Sequence, residues 1–277
     1  MKTLIVGAAL GYNADKLAPF VISLRRAGYL GDCLLFCDYP APDARTQKLL
    51  ETWRIDWEPF QMPEPAPCCP HMARHYKLAA FLDSDRGRSY DYFLHCDTRD
   101  VVFQSDPFAV DLSVPLYHFA EEGRRLIGQS ESNRDWVRAG FGEAALRRLE
   151  AKAIFCGGTI LGSALGMRAH VSATLKLAEH LNPDSLFMPG IDQATHLMIV
   201  HQGIVPGAVL VPNQKLVNTL GLVPRADLSL RNDGFIVNRD GSISAVIHQY
   251  DYPGYEDINQ AILARYRADL AFGGATP

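Results

Sequence analysis

The first hundred residues alternate between short apolar runs and segments with helical spacing, and this alternation restricts the possible folds more than any other feature. Strands are indicated over residues 3–8, 32–37, 55–60 and 92–96, with helical segments at 17–24, 46–53 and 72–82 between them. Strands that alternate with helices form a mostly parallel sheet covered by helices on both faces. The sequence therefore predicts an α/β fold with a Rossmann-like sheet.

The second half of the chain has a more mixed pattern. Strands are indicated at 116–119 and 153–162, and helices at 135–149, 167–181, 191–200 and 258–266. The turn Arg239-Asp240-Gly241 between the apolar runs 235–238 and 243–247 predicts a β-hairpin. Because no shift in composition marks a linker, we expect residues 1–277 to form a single domain, with a parallel front half (1–103) and a mixed back half (104–277).

Composition excludes several classes of protein. A chain with 48% hydrophobic residues and a formal net charge of −4 is not disordered and carries no basic excess for nucleic acid. Its apolar runs are shorter than the ~20 residues of a membrane helix, so no integral membrane segment is expected. The six cysteines form no CxxC pairs, so we expect no structural zinc site. We also expect the cysteines to be reduced and the protein to be cytoplasmic.

The sharpest local feature is Asp97-Thr98-Arg99-Asp100, which directly follows a buried strand. In parallel sheets, ligands bind beyond the carboxyl ends of the strands. Carboxylate oxygens suit Mg²⁺ or Mn²⁺, which protein carboxylates often hold together with substrate phosphates. The alternative is purely structural: Asp97 caps a turn and Arg99 pairs with Asp100.

This segment resembles the DxD region of GT-A-fold glycosyltransferases, and four further segments resemble that group in the same order. Arg74-His75-Tyr76-Lys77-Leu78 resembles the arginine-bearing helix of that group, and Phe155-Cys156-Gly157-Gly158-Thr159 resembles the strand beside the donor sugar. Asp192-Gln193 resembles its Asp-Gln pair, and Ile247-His248-Gln249-Tyr250 resembles its C-terminal histidine segment. The order is similar to that of the retaining group that includes glycogenin and bacterial lipo-oligosaccharide galactosyltransferases.

The resemblance implies a GT-A-like fold and a metal-dependent transfer, with retention, of a sugar from a nucleotide-diphosphate donor to an acceptor hydroxyl. The expected donor is a UDP-sugar bound by the front half, with the acceptor on the back half. The expected metal is Mn²⁺ or Mg²⁺, held by Asp97, Asp100 and His248. Catalytic roles fall to Asp192 and Gln193. Expected donor contacts are Ala8, Tyr12, Arg74, Asp97, Arg99, Gly157 and Gly158.

Several assignments have alternatives. The spacing of the acid pair allows either Asp97 or Thr98 to take the first ligand position. Asp192 follows Pro189-Gly190 and could be a helix N-cap, a position that favours aspartate. If the enzyme inverts, a carboxylate must act as general base, and Asp192 and Glu122 are the candidates.

Two other functions remain open. A sugar-phosphate nucleotidyltransferase shares this sheet architecture, but the loop Gly7-Ala8-Ala9-Leu10-Gly11 lacks the basic residues of that group's signature. A non-catalytic nucleotide-sugar-binding protein would keep the fold without turnover. The acceptor is not predicted: glycan, peptide, lipid and small-molecule hydroxyls are all compatible with the sequence.

Overall fold

A computed structural model of the chain describes residues 1–62 and 66–271. The strands found there are β1 (Thr3–Ala9), β2 (Asp32–Asp38), β3 (Asp56–Phe60), β4 (Tyr92–Cys96), β5 (Val101–Phe103), β6 (Leu116–Ala120), β7 (Phe155–Ser163), β8 (Val209–Val211), β9 (Val217–Thr219), β10 (Ser229–Leu230), β11 (Ile236–Val237) and β12 (Val246–His248). The helices are α1 (Ala14–Arg26), α2 (Ala44–Thr52), α3 (Pro70–Asp83), α4 (Asp85–Arg88), α5 (Glu131–Leu149), α6 (Ala164–Ala178), α7 (Ile191–Gln202) and α8 (Glu256–Ala271).

The main sheet confirms the predicted α/β architecture. Its seven strands have the order β3-β2-β1-β4-β7-β6-β8. The strands β1, β2 and β3 pair in parallel, and β6 pairs in parallel with β8. The pair β6–β7 is antiparallel, as expected for a mixed second half. The buried, nearly continuous apolar runs of β1 and β2 are typical of parallel strands covered on both faces.

A second, three-stranded sheet joins segments that are far apart in sequence. Strand β12 pairs antiparallel with β5 and parallel with β9. In this register His248, the last residue of β12, lies opposite Val101, the first residue of β5. The residue after β12 and the residue before β5 are also joined, because the Gln249 amide donates a hydrogen bond to the Asp100 carbonyl (2.9 Å). The sheet thus fixes the end of β12 beside the Asp97–Asp100 loop.

The predicted hairpin at residues 235–247 is wrong in its pairing. Its turn does form, since Gly241 has φ +83° and the Asn238 amide donates to the Ser242 carbonyl. However, β11 pairs with β10, and β12 pairs with β5 and β9. A turn signal fixes only the local reversal of the chain. The fully buried β12 requires neighbours on both edges, and nothing local identifies them.

Contacts between Cα atoms divide the chain into two compact units, each built from segments distant in sequence. The β1 unit comprises residues 3–61, 94–110 and the described part of 212–277, and the β7 unit comprises 1–2, the described part of 62–93, and 111–211. In the β1 unit, α1 packs against α2, β5 and α8; in the β7 unit, α7 packs against α3, α5, α6 and β7. The single domain of residues 1–277, divided at residue 103, stays a prediction.

None of the helices within the described ranges combines the length and the apolar character that crossing a lipid bilayer requires.

Candidate functional site

The loop after β4 is held against β1 by close backbone packing. The buried Thr98 hydroxyl donates to the Ala8 carbonyl at 2.7 Å. A Cβ at Gly7 would lie 2.4 Å from the Thr98 methyl group and 2.6 Å from the Cys96 carbonyl oxygen, so a glycine is required there for the loop to approach. Because the Thr98 hydroxyl is hydrogen-bonded to β1, we take Asp97, and not Thr98, as the partner of Asp100 in the predicted metal site.

Asp97, Asp100 and His248 form one cluster within the β1 unit. The Nε2 atom of His248 lies 3.3 Å from Oδ2 of Asp97 and 3.7 Å from Oδ1 of Asp100. All three side chains offer a ligand atom, and these atoms lie within 4.8 Å of one another. The β5–β12 pairing described above explains how His248 reaches two acids that precede it by roughly 150 positions.

The donor set of this cluster fits a hard divalent cation. Two carboxylates and one imidazole supply oxygen and nitrogen ligands of the kind that Mg²⁺ and Mn²⁺ accept. The neighbouring Asp251 adds further negative charge, and burial together with the Asp100 carboxylate raises the pKa of Asp251. A cation in the cluster would offset this repulsion between carboxylates.

Arg99 is the exposed cationic residue beside the cluster. Its Nη2 atom lies 3.1 Å from Oδ2 of Asp100 and 3.4 Å from Oδ1 of Asp251, and its side chain is 50% exposed. The Tyr250 hydroxyl donates to the Arg99 carbonyl (3.0 Å) and fixes the backbone there. Sequence reasoning identified Arg99, included Tyr250 only as part of the histidine segment, and missed Asp251, whose position three residues after His248 was the available signal.

The end of β1 and the loop that follows it carry the two other predicted donor contacts of the β1 unit. Ala8 is half-buried, and its carbonyl accepts from Thr98. Tyr12 is half-buried beside Lys16, whose Nζ atom lies 5.5 Å from the centre of the Tyr12 ring. Asn13 caps α1 by accepting from the Lys16 amide. The role of Ala8 and Tyr12 in binding a donor stays a prediction.

A buried ion pair in the β7 unit joins α3 to α7. Nη2 of Arg74 donates to Oδ2 of Asp192 at 2.7 Å, and Nε2 of His75 lies 3.8 Å from the same oxygen. Burial alone would raise the pKa of Asp192, but Arg74, with a further contribution from His75, lowers it well below its usual range. Asp192 is therefore a buried carboxylate that stays charged. Sequence reasoning included His75 in the Arg74 motif but gave it no role.

Asp192 is not an N-cap. The N-cap position of α7 is Gly190, with φ +85°. Asp192 lies in the first turn of the helix, where the helix dipole favours a negative charge. Asp192 is therefore stabilised by the N-terminal end of the helix and by Arg74, and not by a capping hydrogen bond.

Gln193 bridges α7 to β7. Its side-chain carbonyl accepts from the Gly157 amide at 2.7 Å, and its NH₂ group donates to the Phe155 carbonyl (2.8 Å) and the Asn133 side chain (3.1 Å). The Gly158 amide contacts the Cys156 sulfur at 3.4 Å. These bonds occupy the Gln193 amide within the protein, so this residue positions the Gly157 backbone. Asn133 was missed, because no local pattern marks it.

The predicted site residues therefore form two groups. In the β1 unit, Asp97, Asp100 and His248 come together. In the β7 unit, Arg74 is hydrogen-bonded to Asp192, and Gln193 is hydrogen-bonded to Gly157. Glu122, the other candidate base, is paired with Arg124 at 2.9 Å.

No protein-family model matches this chain, and no curated protein matches it. Solved structures of the lipo-oligosaccharide galactosyltransferase LgtC do match it. An active-site mutant of LgtC, in which a glutamine is replaced by glutamate, superposes with a TM-score of 0.58 at 15% identity, over 93% of this chain and 94% of that one. LgtC in complex with donor and acceptor sugar analogues gives a TM-score of 0.57 at 13% identity, over 94% and 95%. This similarity confirms the predicted fold: the chain has the GT-A-like architecture of LgtC.

Proposed function

We propose that the protein is a metal-dependent glycosyltransferase that moves a sugar from a nucleotide-diphosphate donor, in the first instance a UDP-sugar, to an acceptor hydroxyl. The observation that carries this proposal is the Asp97–Asp100–His248 cluster on a fold shared with LgtC. A structure of LgtC holds donor and acceptor sugar analogues, which supports a sugar donor for this chain as well.

In the proposed reaction, Asp97 and Asp100 each offer a carboxylate oxygen and His248 a ring nitrogen to Mn²⁺ or Mg²⁺. The bound ion supplies positive charge that stabilises the negative charge developing on the leaving diphosphate. We assign Arg99 to the donor phosphates, because it is half exposed and guanidinium groups form strong charge-assisted bonds with phosphate oxygens.

The remaining donor contacts are assigned by position. Tyr12 follows β1 and offers an aromatic ring for the base, and Ala8 lies near the end of that strand. Gly157 and Gly158 have no side chain, which lets the backbone of β7 approach a sugar closely. A Cβ at Gly157 would lie 3.0 Å from Oε1 of Gln193, so Gly157 also permits the bond that holds this strand. We also assign Arg74 to the donor site, because its guanidinium group pairs with Asp192.

The charge state of Asp192 favours retention over inversion. A general base works best with a pKa near the operating pH, whereas the pKa of Asp192 is held far lower by Arg74. We therefore propose that an oxygen of the leaving phosphate takes the proton of the acceptor hydroxyl. Asp192 would orient the reacting groups, and Gln193 would hold Gly157. LgtC likewise has a glutamine in its active site.

The test is donor hydrolysis without acceptor. The protein is incubated with a panel of nucleotide sugars and Mn²⁺, and free nucleotide is measured with and without EDTA. We expect release from at least one donor, abolished by EDTA. Asp100→Asn should lower the release roughly 100-fold or more, since several kcal/mol of charge stabilisation are lost. The control is Asp83→Asn at the C-terminal end of α3, whose 74% exposed side chain pairs with Arg168; it should leave the release unchanged.

The other outcomes contradict the proposal in distinguishable ways. Stabilisation by UDP without release from any donor would identify a nucleotide-sugar-binding protein. Exchange of nucleotide that requires pyrophosphate would identify a nucleotidyltransferase. Full activity of Asp100→Asn would exclude the assigned metal cluster.

A further inference from the structure

Three buried histidines meet in the β7 unit, and none of them is assigned to the transfer reaction. His118 lies on β6, His170 on α6 and His196 on α7, with exposures of 2%, 1% and 2%. One ring nitrogen of each lies within 4.8 Å of the others. We call these residues the three-histidine cluster. A group of buried polar rings requires an explanation, because buried polar atoms without partners are costly.

The spacing of the rings matches that of imidazoles on one metal ion. The ring centroids are 5.6 Å apart for His118 and His170, 5.0 Å for His118 and His196, and 5.4 Å for His170 and His196. With Zn–N bonds of about 2 Å in a tetrahedral site, the centroids of two bound imidazoles lie about 5 Å apart. The mutual tilts of 60–68° keep the rings out of stacking contact and allow each to direct a nitrogen at a common point.

The unused ring nitrogens also suit a metal, which binds the neutral imidazole. Both ring nitrogens of His196 and Nδ1 of His118 are buried and make no hydrogen bond to any described residue. Edge-to-face packing alone would leave these atoms unsatisfied, at about 1–3 kcal/mol each.

We propose that His118, His170 and His196 bind a divalent transition metal, with Zn²⁺ as the expected ion, in a buried site that fastens α6 and α7 to β6. Three imidazole nitrogens without a carboxylate favour zinc over the oxygen-seeking Mg²⁺ and Mn²⁺. The donor set thus differs from that of the Asp97–Asp100–His248 cluster. We expected no zinc site because the sequence has no CxxC pairs, but their absence excludes only cysteine ligands.

This site has a structural consequence for the neighbouring ion pair. His196 follows Asp192 by four residues, so both lie on the same side of α7, one turn apart. The Cβ atom of His196 is also close to β7, at 3.3 Å from the position that a Cβ of Gly157 would take. An ion on His196 would therefore fix the first turns of α7, and with them the position of Asp192.

The test uses the full chain with the acidic cluster disabled by Asp100→Asn and His248→Ala. This double variant is stripped with a chelator and titrated with Co²⁺, which absorbs strongly in the visible range in a four-coordinate nitrogen site and weakly in an octahedral oxygen site. We expect about one equivalent to bind with the strong absorption, and Zn²⁺ to displace it. Adding His118→Phe, which keeps the ring volume, should weaken Co²⁺ binding at least tenfold.

The control is His180→Phe in the same background, because His180 is exposed and outside the cluster. It should leave both stoichiometry and absorption unchanged. The proposal is overturned if the double variant itself does not bind Co²⁺, or binds it with only the weak octahedral absorption. This outcome applies even if His118→Phe does not fold. Unchanged binding in a folded His118→Phe variant also overturns it. Neither result depends on whether the protein transfers sugar.

Discussion

At the scale of single residues, the Arg74–Asp192 pair shows both the reach and the limit of the sequence. Each residue was identified from its motif, yet their direct contact at 2.7 Å was not, because the two are 118 positions apart. Asp97 and Asp100 were readable because they follow a strand in the chain itself. Residues such as Asn133, which acts only through Gln193, leave no trace in a single sequence.

Arg74→Met tests the electrostatics of this pair. Removing the guanidinium leaves the Asp192 carboxylate buried without its main partner, so the free energy of unfolding should fall by about 3–5 kcal/mol at pH 7. In the wild type the pKa of Asp192 is lowered, so its contribution to stability is present above the unfolded pKa of about 3.9 and is lost as pH falls.

In the variant, burial dominates and raises the pKa, so the carboxylate takes up a proton in the folded state above pH 4. The difference in unfolding free energy between wild type and variant should therefore be largest at pH 7 and shrink towards pH 4. Urea unfolding at several pH values measures it. The double variant Arg74→Met/Asp192→Asn should be more stable than Arg74→Met at pH 7. A difference independent of pH would contradict this account.

At the scale of elements, β1 to β4 and α1 to α3 of the front half followed from periodicity, whereas α4, β5 and the partners of short strands did not. The strand β12 illustrates the reason: its three buried residues form a strand only because β5 and β9 flank it. The connection of α7 to β7 is similar. Local sequence predicts the helix and the strand, but the amide of Gln193 that joins them is a tertiary feature.

Gln193→Ala should loosen this connection. The substitution removes hydrogen bonds to Gly157, Phe155 and Asn133 and leaves buried partners unsatisfied, so the free energy of unfolding should fall by about 1–3 kcal/mol. Amide hydrogen exchange at Gly157 should also become faster. Gln202→Ala, at the exposed end of the same helix, is the matched control and should change stability by less than about 0.5 kcal/mol. Equal effects of both variants would contradict the bridging role of Gln193.

At the scale of the whole molecule, the fold class was predictable and the division of the chain was not. Alternating strands and helices indicated the sheet, and the order of five motifs indicated the GT-A-like fold that the LgtC structures confirm. The two compact units could not be foreseen, because each combines segments that are distant from one another in the chain. Composition and periodicity describe contiguous stretches, whereas compactness depends on contacts between distant ones.

Ligand-linked stability gives a test of the metal cluster for the molecule as a whole. A ligand that binds only the folded state adds about 2.7 kcal/mol at a concentration of 100 Kd, which raises Tm by roughly 5 °C or more in a chain of this size. Because the diphosphate and the cation bind together, UDP with Mn²⁺ should raise Tm more than the sum of the two shifts measured separately. EDTA should remove the excess, and Asp100→Asn should lack it while keeping the Tm of the ligand-free wild type to within about 3 °C. Additive shifts in the wild type would show that nucleotide and metal bind independently, and the assignment of Asp97, Asp100 and His248 to a shared metal–diphosphate site would then be wrong.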